Sequence, residues 1–150
     1  MKRILTKIYL CSLIAAPISA QAQFAKVDDA VQYRQAAFQV MSTHIKRIGA
    51  AVKSDMPFDK SAVEANIAII EMLSKQLWTA FPAGSDTPHS KSKPEIWKEM
   101  DKFKASANDL QVDVSKLSVA AKSGDLNAVR SAFGSVTQSC KSCHDNFRTR

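Results

Sequence analysis

Two cysteines and a histidine stand close together near the end of the 150-residue chain, in the segment Cys140-Lys141-Ser142-Cys143-His144. The order Cys-x-x-Cys-His is the attachment motif of c-type haem. In that chemistry the two thiols add across the vinyl groups of haem to form thioethers, and the histidine supplies a nitrogen to the iron. The motif therefore predicts one covalently attached haem c per chain, with Cys140 and Cys143 as attachment points and His144 as the axial iron ligand.

The first 22 residues differ in composition from the rest of the chain. They begin with three basic residues, continue with an apolar run over residues 8–18 and end in the small-x-small site Ala20-Gln21-Ala22. This is the pattern of a cleaved secretory signal peptide, and the run is too short to span a bilayer. We therefore expect a mature haem domain over residues 23–150 that is periplasmic and has no stable membrane insertion.

The charge of the chain argues against nucleic-acid binding. The whole chain has a formal net charge of +7, and removal of the three basic residues of the signal lowers it to +4. The remaining charges form no basic run and no alternation of basic and aromatic residues, so nucleic-acid binding is not expected.

Cys11 lies in the signal, after Leu10 rather than after the small residue of a lipoprotein signal. The mature chain then keeps only Cys140 and Cys143.

Three other uses of this cysteine pair fit the chain less well than haem attachment. A dithiol redox pair normally lies at the start of a helix that follows a strand, and no strand pattern precedes Cys140. A zinc site needs a fourth ligand, for which His44 and His89 are the candidates. A disulfide between positions i and i+3 of one helix is strained. The motif and the export signal together favour haem.

Apolar residues repeat at steps of three and four in four long stretches, which is typical of amphipathic helices. The stretches cover residues 30–52, 63–81, 96–121 and 126–147. Their predicted boundaries are, in chain order, Met56-Pro57, a cap at Asp59, Pro82, Pro94 and Gly124-Asp125. Apart from one long loop between Pro82 and Lys93, the connections are short. The pattern predicts an all-α, antiparallel up-down-up-down four-helix bundle with the haem near the C-terminus.

The side of the iron opposite His144 decides the function. The candidate donors outside the motif are Met41, His44, Met56, Met72, His89 and Met100. Met41 is the best placed, because it lies on the core face of the first helix, and its binding would give a low-spin electron carrier. Phe38 lies one turn earlier on the same face and would instead cover the iron without binding it. The residues alone leave both alternatives open.

The mature chain resembles the cytochrome c′ family over its whole length. The segments that carry the resemblance are Gln23-Phe24-Ala25-Lys26, Asp29-Ala30-Val31, Tyr33-Arg34-Gln35-Ala36, Pro94-Glu95-Ile96-Trp97, Gly124-Asp125-Leu126, Ala132-Phe133-Gly134 and Ser139-Cys140-Lys141-Ser142-Cys143-His144-Asp145. The Cys-x-x-Cys-His motif is shared by all c-type cytochromes. Its position at the end of a four-helix pattern is more specific.

The resemblance implies a five-coordinate, high-spin iron with His144 as its only protein ligand. It implies that Arg34 and Gln35 contact the haem propionates and that Arg148 lies beside the proximal face. Phe38 occupies the distal position, where many members of the family have leucine. No haem contact is transferred to the loop between Pro82 and Lys93, which differs from the family in length and composition.

An apolar distal position predicts which ligands the iron accepts. Bound O₂ needs a hydrogen-bond donor to be held well, whereas NO and CO bind ferrous iron with little such help. We therefore expect binding of NO, and of CO more weakly, together with electron transfer to an unidentified redox partner. Enzymatic activity is not expected, because an apolar pocket lacks the acid–base residue that peroxide cleavage requires. The resemblance also implies a homodimer through the first two helices, where Ala36 and Val40 would widen the contact.

Overall fold

Helices make up nearly all of the regular structure in the computed structural model, which describes residues 23–53 and 58–149. Their bounds are, in chain order, α1 Val27–Lys53, α2 Lys60–Gln76, a 3-10 turn Leu77–Ala80, α3 Glu95–Lys98, α4 Met100–Ser123 and α5 Leu126–Phe147. The described ranges contain no strand, only an isolated β-bridge between Ser92 and Arg148. The predicted signal peptide and the boundary at Met56-Pro57 lie outside the described residues.

The four long helices pack in a ring, with α1 against α2, α2 against α4, α4 against α5 and α5 against α1. The expected all-α four-helix bundle is confirmed. The apolar stripes meet in one core, whose fully buried side chains include Ile48, Ile67, Ile70, Val114, Leu117, Val129 and Val136. Burial of each stabilises the fold by roughly 1.5–3 kcal/mol. None of the helices in the described part of the chain combines the length and apolar character needed to cross a bilayer.

Three of the predicted helix boundaries have the expected capping geometry. The Asp59 carboxylate accepts a 3.0 Å hydrogen bond from the Ala62 backbone N–H at the start of α2. Gly124 ends α4 with a φ of 76°, a left-handed conformation that glycine adopts without a steric penalty. The Asp125 carboxylate then accepts from the backbone N–H groups of Asn127 and Ala128 and so caps α5.

Two helices are interrupted where the apolar pattern predicts continuity. The second α-helix ends at Gln76 and tightens into the 3-10 turn, because Phe81 precedes Pro82 and is forced out of the helical region, to φ −119° and ψ 53°. The third stretch is broken at Glu99, where φ is −124° and ψ is 45°. Ile96 and Phe103, on the two sides of this break, are nevertheless both buried. The apolar spacing alone did not reveal either interruption.

Candidate functional site

A cavity of about 680 Å³ opens among α1, the end of α2, α4 and α5. Its volume lies in the range typical of cofactor pockets, and its walls are mainly apolar. The side chains that form the walls include Arg34, Gln35, Phe38, Met41, Ile45, Ile70, Trp78, Phe81, Ile96, Phe103, Leu110, Val136, Cys140, Cys143, His144, Phe147 and Arg148. The fold thus brings all seven residues predicted for the haem site to one cavity.

Cys140 and Cys143 are free, half-buried thiols on the cavity side of α5. Burial raises the pKa of the Cys140 thiol, and burial together with the neighbouring Cys140 raises the pKa of Cys143 to about 11. A dithiol redox pair depends on a lowered thiol pKa, which makes the thiolate available at neutral pH. The environment of these cysteines therefore argues against that alternative.

His144 lines the cavity but is exposed, whereas Cys140 and Cys143 are half-buried. The inward stripe of α5 runs through Val136, Cys140, Cys143 and Phe147, and His144 is one residue, about 100°, around the helix from Cys143. Partial burial of the ring, followed by the positive charge of Arg148, lowers the pKa of His144. This favours the neutral imidazole, the form that binds a metal ion.

The Phe38 ring faces the His144 ring from α1. Their centroids are 6.5 Å apart and their planes are inclined by 75°. Phe38 is half-buried and also makes an edge contact with Trp78, at 6.1 Å between centroids. The first helix therefore presents an aromatic hydrocarbon ring to the imidazole that is predicted to bind iron.

The other candidate donors differ in their access to the cavity. Met41 is buried, with 5% exposure, and lines it. His44 lies elsewhere, and its Nδ1 is 2.8 Å from the Asn66 side-chain oxygen. Met72 is 51% exposed on α2. His89 and Met100 are not part of the cavity lining, and Met56 lies outside the described residues, so Met41 is the candidate that the described cavity supports.

Arg34 is buried, with 2% exposure, although it carries a charge. Its terminal nitrogens donate hydrogen bonds to the carbonyl oxygens of Ala80 and Ser85 and to the hydroxyls of Ser85 and Ser90. Its guanidinium also lies 4.6 Å from the Phe81 ring centroid. These bonds occupy the terminal nitrogens of Arg34. Its contact with a haem propionate stays a prediction, in which the positive charge of the guanidinium would attract the propionate.

The segment of residues 82–93, which we call the strap, lies between the 3-10 turn and α3 in the chain and forms hydrogen bonds with α1 and with the end of α5. The Gln35 side chain donates a 2.8 Å hydrogen bond to the His89 carbonyl. The backbone N–H of Lys93 donates to the Phe147 carbonyl, and Ser92 pairs with Arg148. Gln35 and Arg148 therefore line the cavity while they touch the strap, and their predicted contacts with haem stay predictions.

Several residues of this region were not predicted to belong to the site. Trp78 lines the cavity, yet it follows Leu77 in an ordinary apolar stripe. Ser85 and Ser90 bind Arg34 from a loop that has no periodicity. The Trp97 ring nitrogen donates to the carbonyls of Phe81 and Pro82. Only the isolated tryptophans, which are large and amphipathic, offered a hint in the sequence.

The donor set and the shape of the cavity fit a c-type haem. Two free thiols one turn apart and an imidazole lie along one wall, and mainly apolar side chains form the opposite wall. Cys140 and Cys143 would hold the group by thioethers, and His144 would bind its iron. Within the described residues, no group of three or more histidine, cysteine, aspartate or glutamate side chains is arranged to hold a metal ion by itself.

Comparison with known proteins agrees with this reading of the site. The family model described as Cytochrome C′ matches residues 29–148. A cytochrome c′ of Alcaligenes xylosoxydans xylosoxydans is 42% identical over 128 residues, which is 85% of this chain and 99% of that protein. A cytochrome c′ of Rubrivivax gelatinosus is 39% identical over 129 residues, which is 85% of this chain and 100% of that protein.

Solved structures give the same answer. A nitric oxide complex of a single-residue variant of cytochrome c prime from Alcaligenes xylosoxidans has a TM-score of 0.80 at 41% identity and covers 85% of this chain and 99% of its own. The crystal structure of cytochrome c′ from Rubrivivax gelatinosus also has a TM-score of 0.80, at 39% identity, and covers 85% and 100%. Fold, motif position and sequence similarity agree, and the chain belongs to the cytochrome c′ family, whose cofactor is a c-type haem.

Proposed function

We propose that this protein binds NO, and CO more weakly, at a five-coordinate, high-spin haem iron whose only protein ligand is His144. One haem per chain, attached through Cys140 and Cys143, supplies the gas-binding and one-electron chemistry. The observation that carries the proposal is the Phe38 ring, whose centroid lies 6.5 Å from that of the His144 ring in the lining of the same cavity. A phenyl ring has no lone pair to offer a metal.

The protein side chains divide the work between holding the cofactor and restricting access to it. Cys140 and Cys143 fix its position along α5, and the neutral His144 imidazole contributes one nitrogen. Phe38, Met41 and the aromatic residues behind them keep water away from the opposite side. Single-residue variants of cytochrome c prime from Alcaligenes xylosoxidans have been solved in complexes with nitric oxide and with carbon monoxide.

The polarity of the distal wall supports discrimination against O₂. Met41, Ile45 and Ile70 lie with Phe38 along this part of the cavity, and none of them donates a strong hydrogen bond. The polar side chains of Gln39 and Ser42 also line the cavity from α1, and both residues are exposed. Bound O₂ would therefore lack the stabilisation that NO and CO do not need.

A second candidate function is a low-spin electron carrier in which Met41 is the sixth ligand. The observation in its favour is that Met41 is almost fully buried and lines the same cavity as His144. The two candidates predict different optical and resonance Raman spectra for the ligand-free protein. A high-spin spectrum in both oxidation states, followed by a new ferrous spectrum on addition of NO, supports gas binding. A low-spin methionine spectrum before addition would overturn it.

We further propose that the protein is exported to the periplasm and forms a homodimer. It would exchange electrons with a redox partner and would not act as an enzyme. The export signal over residues 1–22 supports the location. The exposed Ala36 and Val40 on α1 support a dimer contact on that helix. Sedimentation of the haem-loaded Val40→Glu variant should give monomers at concentrations where the unaltered protein is dimeric.

A further inference from the structure

We propose that Trp78 is a second residue that sets the access of diatomic ligands, because it blocks one of the directions in which Phe38 can move. This inference rests on the proposed function, in which the ligand enters the space opposite His144. It adds a specificity-determining residue that lies on a different element from Phe38.

Phe38 is confined on two sides by aromatic rings. The Trp78 ring lies at 6.1 Å and the His144 ring at 6.5 Å, both in edge-to-face arrangements with interplanar angles of 71° and 75°. Its half-buried state means that part of the ring is in contact with water. A Phe38 ring that leaves the iron side must therefore move either into the volume of Trp78 or outward into solvent.

Trp78 is held too firmly to yield that volume. Its ring nitrogen donates a hydrogen bond to the Ser74 carbonyl, which also accepts a 3.0 Å bond from the Gln111 side chain of α4. The indole is stacked on Phe81 with 6.4 Å between centroids and meets the edge of Phe103 at 5.6 Å. Tryptophan in such a position is fixed by both its polar atom and its apolar faces.

The outward movement carries a free-energy cost because it exposes more of the phenyl ring to water. That cost is added to the barrier for every ligand that enters, so it slows association. It also weakens binding, although the bond between the ligand and the iron is unchanged. Removal of the Trp78 side chain opens an inward alternative in which Phe38 stays buried. The Trp78 ring thus acts through Phe38, and its effect requires that Phe38 is present.

The test is a double-mutant cycle in the haem-loaded protein, with CO association measured by flash photolysis. Trp78→Ala should speed association about tenfold in the presence of Phe38, since retained burial of part of a phenyl ring corresponds to roughly one factor of ten. In the Phe38→Ala background the same change should alter the rate less than about twofold. Trp78→Phe, which fills more of the volume, should give an intermediate increase and guards against misfolding of the alanine variant.

Phe133→Ala is the matched control for a general loosening of the bundle. Phe133 packs on Gly49 between α5 and α1 and is not part of the cavity wall. It should leave the CO association rate within about twofold of the unaltered protein. An equal acceleration by Phe133→Ala, or the same effect of Trp78→Ala with and without Phe38, would overturn the role of Trp78.

Crystal structures of the CO-bound forms provide a readout that does not depend on rates. With Trp78 present, the Phe38 ring should lie further toward solvent. With Trp78→Ala, the ring should occupy the vacated volume, and a ring that points to solvent in both structures contradicts the proposal. A low-spin methionine spectrum of the ligand-free protein indicates instead that a protein ligand occupies the sixth position and must leave first. That result overturns the proposed open site, whereas the ring positions still decide the role of Trp78.

Discussion

The Ser139 hydroxyl on α5 donates a 2.6 Å hydrogen bond to the Asp113 carboxylate on α4. Ser139 immediately precedes Cys140, so this bond fixes α5 against α4 at the residue where the attachment motif begins. The Lys116 ammonium lies 3.2 Å from the other carboxylate oxygen. The hydrogen bond from Ser139 is the main cause that lowers the pKa of Asp113 below its ordinary value of 3.8, and Lys116 acts in the same direction.

Asp113→Asn should destabilise the haem-loaded protein by about 1 kcal/mol at pH 7, the usual contribution of such a bond. A lowered folded-state pKa gives stability that is fully present above the unfolded pKa of about 4 and is lost as the pH falls through the folded value. Urea unfolding should therefore separate the two proteins at pH 7 by more than at an acidic pH below the unfolded pKa of about 4. Asp109→Asn, at an exposed position on the same helix, serves as control. An equal difference at both pH values contradicts the linkage.

Arg34→Lys should loosen the strap although it keeps the positive charge. Lysine cannot reproduce the planar fork that serves Ala80, Ser85 and Ser90, and buried acceptors left without donors cost about 1–3 kcal/mol each. We expect a loss of roughly 2–4 kcal/mol in thermal unfolding and faster amide exchange within residues 82–93. Arg47→Lys, on an exposed part of α1, should change neither quantity. Unaltered exchange in the Arg34 variant would show that the strap is held by other contacts.

Met41→Leu should leave the spectrum of the ligand-free protein unchanged if the iron is five-coordinate. The two side chains have similar volumes, so the substitution should cost less than about 1.5 kcal/mol and keep the fold intact. Optical spectra of both oxidation states provide the measurement. A change from a low-spin to a high-spin spectrum in this variant would identify Met41 as a ligand and favour the electron carrier.

Cys140→Ser and Cys143→Ser together should abolish covalent attachment of the haem. Without thiols, neither thioether can form, and denaturing mass spectrometry should find the exported chain without added porphyrin mass. Each single variant retains one attachment point. Cys11→Ser is the matched control, because cleavage of the predicted signal peptide removes residue 11. The mature product of this variant should have the same mass as that of the unaltered protein. Porphyrin that remains bound to the double variant under denaturing conditions would exclude the proposed links.

The prediction from sequence succeeded where the information is local in the chain. Haem attachment depends on the order Cys140, Cys143, His144 within one helix, and this order can be recognised in a segment of five residues. The four apolar stripes follow from the helical repeat of 3.6 residues, and the caps at Asp59 and Asp125 depend on a residue and the next three. Such features need no knowledge of the neighbouring helices.

Packing decided what the local pattern left open. The resemblance made Arg34 a candidate for the propionates, but its hydrogen-bond partners lie 46 to 56 positions away, on the 3-10 turn and the strap. The break at Glu99 likewise shows that apolar spacing survives an interruption of the backbone, because Ile96 and Phe103 still reach the same core. Contacts between distant segments depend on how the helices are rotated and offset, which periodicity does not specify.

The sequence by itself determined the cofactor chemistry and the kind of bundle, because both follow from residue types at short, fixed spacings. Only the tertiary structure decided which side chain faces His144 and which rings stand behind it. Phe38 and Met41 lie on adjacent turns of one face of α1, about 4.5 Å apart along its axis, so the offset of that helix along α5 decides which of them faces His144. The contact of Phe38 with Trp78, whose ring packs in turn on Phe81 and Phe103, holds α1 at the offset that the structure shows.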